Sequence, residues 1–359
     1  MAKTKLKIAA TLVVAAGFAV AGGWFFLAAK AERTINAWAE AGRADGIETN
    51  WATLEISGFP LRLRGTLAEP TILMRNGADT VFWQAPVLTV EISPLSPDRL
   101  RFEVSGRHAI VKTGADGTVE EASLTVADGW VEIEQAEGED FPQEIALHFV
   151  GVTATFGDHP VLAAGSVEGE FRRYTGRRDG GGNENIAAAV AHLRIQGLDL
   201  PQGVTGPFDP HIEIIEFDLA LAGVLPERAY RRPRKTDIAA WRDGGGYLVL
   251  RNAHIDWGSL SARADGRIEL DSNLQPTGQI ETRATGLMEA VRTMEAGALI
   301  DANTAMVARL AITGLNALGR NEQTPEGGIE NIVPFPLADG AVRLGPLKLA
   351  RIPTVNWRQ

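Results

Sequence analysis

Acid–base or metal chemistry in this chain would have to be built from six histidines, and these are scattered singly: His108, His148, His159, His192, His211 and His254. No two stand four apart as ligands on one helix face, and none sits beside the glutamate of a zinc-hydrolase helix. His254 and Asp256 share one face of a strand pattern, the outward one, where two such residues are solvated. In Gly165-Ser166-Val167-Glu168-Gly169 the serine holds the wrong place for a nucleophile elbow. Gly180–Gly182 and Gly244–Gly246 do not lead from an apolar strand into a helix, so neither is a phosphate loop nor a dinucleotide fingerprint. Asp271-Ser272-Asn273 opens like a calcium loop, but Pro276 occupies the position that needs glycine. Cysteine is absent, which removes disulfides, thiolate metal sites and cysteine nucleophiles. The expectation is a non-enzymatic protein with no catalytic residue, no metal and no cofactor.

The remaining chemistry is positive charge. Arg172, Arg173, Arg177 and Arg178 flank Tyr174, and Arg228, Arg231, Arg232, Arg234 and Lys235 flank Tyr230. Such clusters suit an anionic headgroup or an acidic partner, at about 1 kcal/mol per residue near an anionic surface; solvated loop charge is the plainer reading. The surrounding body is acidic, with 45 Asp and Glu against 35 Lys and Arg in 359 residues, three of the lysines falling in the first seven. A body of that charge repels phosphate backbones, so nucleic acid is not an expected partner.

Residues 8–29 carry no charge and are bracketed by Lys7 and Lys30. As a helix they span about 33 Å, enough for a hydrocarbon core of roughly 30 Å. Ala19-Val20-Ala21 has the small-x-small form of a cleavage site, but the apolar run continues through Trp24, Phe25, Phe26 and Leu27, which favours a retained anchor. Lys3, Lys5 and Lys7 place a tail over 1–7 on the cytoplasmic side. The expected location is a bacterial inner membrane, crossed once by 8–29, with the main domain in the periplasm. A juxtamembrane helix over 30–46 follows, with Ile35, Trp38 and Ala39 on one face and Gly42 as its stop.

From residue 47 the apolar period is two. Leu100, Phe102 and Val104 alternate with polar residues, as do Ala122, Leu124 and Val126, and Ala253, Ile255 and Trp257; Ile215, Phe217, Leu219 and Leu221 keep the same spacing. One apolar and one wet face per strand predicts antiparallel sheet, with Phe102, Phe217 and Trp257 buried. Glycines 65, 106, 223, 266 and 286 read as closing these runs. Helices are expected at about 286–298, with Thr285 as N-cap, and 303–317, with Met306, Val307, Leu310, Ala311 and Gly314 on one stripe. The fold class is therefore mainly β, as a curved open sheet or a sandwich, with a late helical hairpin. Two β-rich halves, 47–171 and 191–359, are expected on either side of a glycine-rich boundary at 172–190, with a second break at 226–237.

Several stretches resemble an uncharacterised proteobacterial envelope family, domain of unknown function 2125. They are the anchor and collar, Gly58-Phe59-Pro60-Leu61-Arg62-Leu63, APVLTVEISPLSP at 85–97, the long run at 239–286, and FPLADGAVRLGPLKLARIP at 335–353. The resemblance implies a membrane-tethered protein and carries over no functional residue. The strand-and-glycine style, with Leu270-Asp271 through Pro276 and Gly278, also resembles AsmA-like envelope proteins, whose open curved sheet conducts lipid. Two functions stand open: binding of a lipid or other hydrophobic ligand on an apolar sheet face, or a closed sandwich that acts as an envelope scaffold for protein partners. A hydrolase without a recognisable motif is the third.

Overall fold

The alternation with period two becomes strand nearly everywhere it occurs, because pleated backbone sends successive side chains to opposite faces. The structure, a computed structural model, describes residues 29–357 except 30, 31, 34, 38, 41, 45, 61, 94, 137, 138, 140, 158–160, 175–186, 202–207, 232, 318–320, 324–328, 339, 345, 346 and 356. The protein is mainly β, its sheet antiparallel and open, with few helices. Two compact units divide the chain, one made of Met1–Ile133 with Ala154–His159, the other of Glu134–Thr153 with Pro160–Gln359.

The first unit is a meander of long, creased courses. Its strands are β1 (Ile47–Asn50), β2 (Thr53–Ser57), β3 (Leu63–Ala68), β4 (Thr71–Asn76), β5 (Asp79–Gln84), β6 (Val87–Ser93), β7 (Ser96–Glu103), β8 (Gly106–Thr113) and β9 (Val119–Glu134). β1 and β2 run antiparallel to β4 and β3, these to β5 and β6, and these to β8 and β7. β8 then pairs with β9. Each pair of short strands is one course broken at a crease. Glu69 at φ 49° and Gly106 at φ 86° sit on it, and the N–H groups of Glu69 and Ala85 bond the carbonyls of Pro86 and Pro70. Gly106 is needed there, since a Cβ would stand 2.7 Å from Pro86 Cγ and the φ is left-handed. The described residues from Ala29 to Ala44 are helical, and Ala39 is buried.

The second unit contains β10 (Glu144–Phe156, through Thr153), β11 (Leu162–Arg173), β12 (Ala187–Asp199) and β13 (His211–Ala222). Two short helices follow, α1 (Glu227–Arg231) and α2 (Lys235–Asp243), then β14 (Tyr247–Trp257), β15 (Leu260–Leu270) and β16 (Pro276–Thr285). A hairpin of α3 (Leu287–Ala296) and α4 (Ala302–Ala317) leads to β17 (Asn321–Gln323), β18 (Ile329–Ala338), β19 (Ala341–Leu344) and β20 (Leu347–Arg351). β11 to β16 pair in sequence order, β16 then pairs with β18, and β18 with β17 and β19.

Several local expectations are corrected. The 172–190 stretch joins β11 to β12 inside the second unit, and the two strands pair up to Arg173 and Ala189 on either side of it. The break at 226–237 holds α1 and the first turn of α2, which Pro233 separates. Gly65 and Gly266 lie within β3 and β15 instead of closing strands; a Cβ at Gly266 would collide with the facing Gln279 carbonyl, so the close strand approach explains that glycine. The N-terminal helix runs past Gly42 and stops at Gly46, whose φ of 77° is the left-handed geometry a helix end uses. α3 is capped by Gly286 (φ 74°) with no side-chain bond, because a Cβ there would strike the Ser259 carbonyl; Thr285 belongs to β16. On α4 the buried stripe is Ala305 and Ile312, packed on Val291, while Met306, Val307 and Leu310 are exposed. Both stripes are apolar, so periodicity alone could not choose between them. Among the described residues no helix is long and apolar enough to cross a membrane. The expected anchor at 8–29 lies outside the described residues apart from Ala29.

Candidate ligand-binding face

Residues paired across an antiparallel sheet project to the same side, so register alone maps the two faces of the second unit. Four rows run across β11, β12, β13, β14, β15, β16 and β18 in that order. They are Val167-Ile195-Ile215-Ile255-Ala262-Ala284-Asn331; Gly169-Leu193-Phe217-Ala253-Ala264-Thr282-Val333; Phe171-Ala191-Leu219-Leu250-Gly266-Ile280-Phe335; and Arg173-Ala189-Leu221-Leu248-Ile268-Gly278-Leu337. A bulge in β14 between Leu250 and Ala253 keeps both of these residues on the one side. Every side chain in the four rows is apolar or glycine except Thr282, Asn331 and, at one corner, Arg173.

The opposite side is charged. Its central row is Glu168-Arg194-Glu216-His254-Arg263-Arg283. Neighbours there pair with one another: Asn252 donates to Glu216 at 3.0 Å, Arg283 reaches Asp265 at 3.0 Å and Glu281 at 2.6 Å, and His148 lies 3.3 Å from Glu168. His254 stands 3.1 Å from Asp256, so the pair singled out in the sequence is a local contact within this charged side. Asp271 spends its carboxylate on the N–H groups of Asn273 and Gln275, closing a turn. Among the described residues no three His, Cys, Asp or Glu side chains are grouped to hold a metal.

The apolar side is covered at its margins and open in its middle. Ala284, Asn331, Val333 and Leu337 are buried on β16 and β18, next to the α3–α4 hairpin that contacts β15 and β18. Ala189 and Leu250 are buried toward the end that carries α1 and α2, where Trp241 Nε1 donates to the Ala222 carbonyl at 2.8 Å. Between these margins Leu193 and Phe217, register partners at the centre, are 37% and 42% exposed. Phe217 was expected to be buried and is not; Phe102 and Trp257 are half-buried.

Arg173 closes one corner. It is 5% exposed, bonds the Glu139 carboxylate and the Phe141 carbonyl, and stacks its guanidinium near the rings of Phe141 (5.6 Å) and Tyr230 (5.4 Å). Phe171 packs on both rings. Burial pushes the Tyr230 phenol up, against the opposing pull of Arg173. The two basic clusters, far apart in sequence, thus meet through Arg173 and Tyr230. Arg172 lies on the charged side, bonded to Glu144 at 3.0 Å and Glu170 at 3.1 Å; the bond it donates to Glu144 holds its pKa above the ordinary value. Arg228 pairs with Asp237 at 2.5 Å, which lowers the carboxyl and raises the guanidinium. Arg234 and Lys235 are exposed at the start of α2. Arg231 ends α1, and Arg177, Arg178 and Arg232 lie outside the described residues. The residues that sequence reading passed over are Leu193 and Ile195, whose alternation with His192 and Arg194 carried the signal, and the aromatic enclosure of Arg173, which carried none.

No curated protein and no solved structure matches the chain, so the likeness to AsmA-like proteins has no counterpart there. Over residues 24–353 the sequence matches the model of the family described as "Uncharacterized protein conserved in bacteria (DUF2125)", and the chain belongs to that family.

Proposed function

We propose that this protein is a non-enzymatic, membrane-anchored envelope protein that binds a lipid or another extended hydrophobic molecule on the apolar side of its second unit. The observation that carries the reading is the four-row face, apolar across seven strands yet exposed at Leu193 and Phe217. Leaving such an area in water is costly at roughly 25 cal/mol per Å², and a bound acyl chain would remove that cost. The single charge on the face, Arg173, stands at the corner where the basic residues gather. There Arg228, Arg234 and Lys235, beside the buried Arg173, would meet an anionic head group; Arg172 faces the charged side, and Arg177, Arg178, Arg231 and Arg232 enter the proposal on sequence alone. The apolar run 8–29 would hold the protein in the inner membrane, N-terminus cytoplasmic and main domain periplasmic.

The test is native mass spectrometry of the full chain purified in mild detergent, beside Leu193→Asp. A lipid-sized adduct retained by the wild type and lost by the variant is expected. A clean protein mass from folded wild type would refute the reading and leave an envelope scaffold with protein partners as its successor.

A further inference from the structure

The first unit carries a second feature, at the end where its N-terminal helix begins. The helix joins β1 through Gly46, whose N–H bonds Arg43 and whose carbonyl accepts from Arg75. From Ala44 it climbs along the sheet until Ile35 faces Gly65, its Cδ1 3.7 Å from where a Cβ on that glycine would stand, beside Leu54 and Ile56. Ala29 is six residues further, about 9 Å at helical rise. Phe59 is three residues beyond Ile56, about 10 Å at strand rise. Ala29, where the apolar run 8–29 ends, and the 58–62 turn thus each lie about 10 Å along the chain from the contact of Ile35 with Ile56 and Gly65. That turn is built tightly: Arg62 N–H bonds the Gly58 carbonyl, and Gly58 has a φ of 96°.

Register puts a second turn at the same end. Ser57 pairs with Arg64, Leu63 with Ile92, and Ser93 with Ser96, so Leu95 sits one hairpin away from Phe59. Phe59 is 53% and Leu95 84% exposed. Arg62 and Arg99 stand nearby with side chains 65% and 50% exposed, while their carboxylate partners Glu91 and Glu132 are 13% and 24% exposed. Two exposed arginines and the exposed Asp98 thus stand at this end, next to two large apolar tips.

Resting on the reading of 8–29 as a retained anchor, we infer that this end of the first unit docks on the bilayer surface, with Phe59 and Leu95 entering the headgroup region. The anchor brings the tips to the interface, and each apolar side chain that enters adds area removed from water. Exposed arginines at the same level suit anionic lipid. The partner is the lipid surface itself, and the unit is held against it as well as tethered to it.

The chain has no cysteine, so single substitutions give unique labelling sites. Full-length Phe59→Cys, Leu95→Cys and Ala115→Cys, the last in the turn at the opposite end of the unit, are labelled with an environment-sensitive dye. They are reconstituted in phosphatidylethanolamine–phosphatidylglycerol vesicles bearing a quencher shallow in the acyl region. Labels at 59 and 95 should be quenched at least about threefold more than the label at 115, as expected for side chains buried 5–10 Å below the headgroups. Equal quenching at all three overturns the inference, and Leu95→Cys alone decides it if the Phe59 variant fails to fold. Flotation of the same vesicles separates the causes: protein that fails to float overturns the anchor and the docking together, whereas protein that floats with unquenched tips overturns the docking alone. Neither outcome alters the lipid adduct expected on the second unit.

Discussion

Phe217→Asp is the perturbation that separates an open apolar face from a buried one. Phe217 is 42% exposed and surrounded in register by Leu193 and Ala253. Truncating a fully buried phenylalanine costs about 3–5 kcal/mol, so with two-fifths of the ring already in water the loss is about 2 kcal/mol, and the new carboxylate can stay hydrated. Val333 lies in the same row but is 3% exposed, on β18, the strand that α4 contacts. Val333→Asp strands an unpaired carboxylate, at a cost of about 4 kcal/mol or more. Denaturant midpoints of the full chain in detergent should therefore place Phe217→Asp nearer wild type than Val333→Asp. Titration with a fluorescent phospholipid should show the opposite ranking of damage for Phe217→Asp: about a hundredfold loss of affinity, equivalent to about 2.7 kcal/mol, from desolvating a charge under the ligand. Arg263→Glu, on the charged side, should leave probe binding unchanged. The reasoning fails if Phe217→Asp is as unstable as Val333→Asp, or if it binds the probe like wild type.

Arg173→Met removes the bonds to Glu139 and Phe141 from a side chain 6% exposed and leaves Glu139, 25% exposed, without its partner; a loss of about 2–3 kcal/mol is expected by urea denaturation. Arg173→Met/Glu139→Gln should recover half of it or more, and a double variant no better than the single would show that the ion pair is not what stabilises this corner. His108, 4% exposed and stacked on Trp83 at 5.8 Å, is held below its usual pKa of about 6.5 by burial. The unfolded chain then binds a proton that the fold refuses, so stability is present above about pH 6.5 and falls as pH drops toward the lowered folded value. His211, raised by Asp199, contributes with the opposite sign, so the comparison is made against His108→Phe, which should flatten the decline between about pH 7 and pH 5. An unchanged slope would show that His108 is not the group responsible.

The strands were legible because alternation is a local property: Ile215, Phe217, Leu219 and Leu221 announce a strand with one apolar side whatever lies above it. The helices of the late hairpin were legible for the same reason, and so was membership in the family. Where conformational demand depends on a distant neighbour, the reading slipped. Gly286 stands where it does because the Ser259 carbonyl occupies the space of a Cβ, and Thr285, the better cap by type, is drawn into β16 by its partner Ser261.

Composition and periodicity by themselves determined a mainly β protein with one greasy and one wet side to its strands, an apolar run at 8–29, and no constellation that announces chemistry. Whether a strand's apolar side is covered was left to tertiary structure, since the same alternation serves a sandwich core and an open face. Register across β11 to β18 decided that the apolar residues of seven strands form one surface. The placement of α1–α2 and α3–α4 at its margins decided that Phe217 stays in water while Val333 does not. The same long-range pairing brought Arg173 to Tyr230, fifty-seven residues away, and set Leu95 beside Phe59. Burial is a property of what packs above a residue, and a single strand's sequence carries no record of that neighbour.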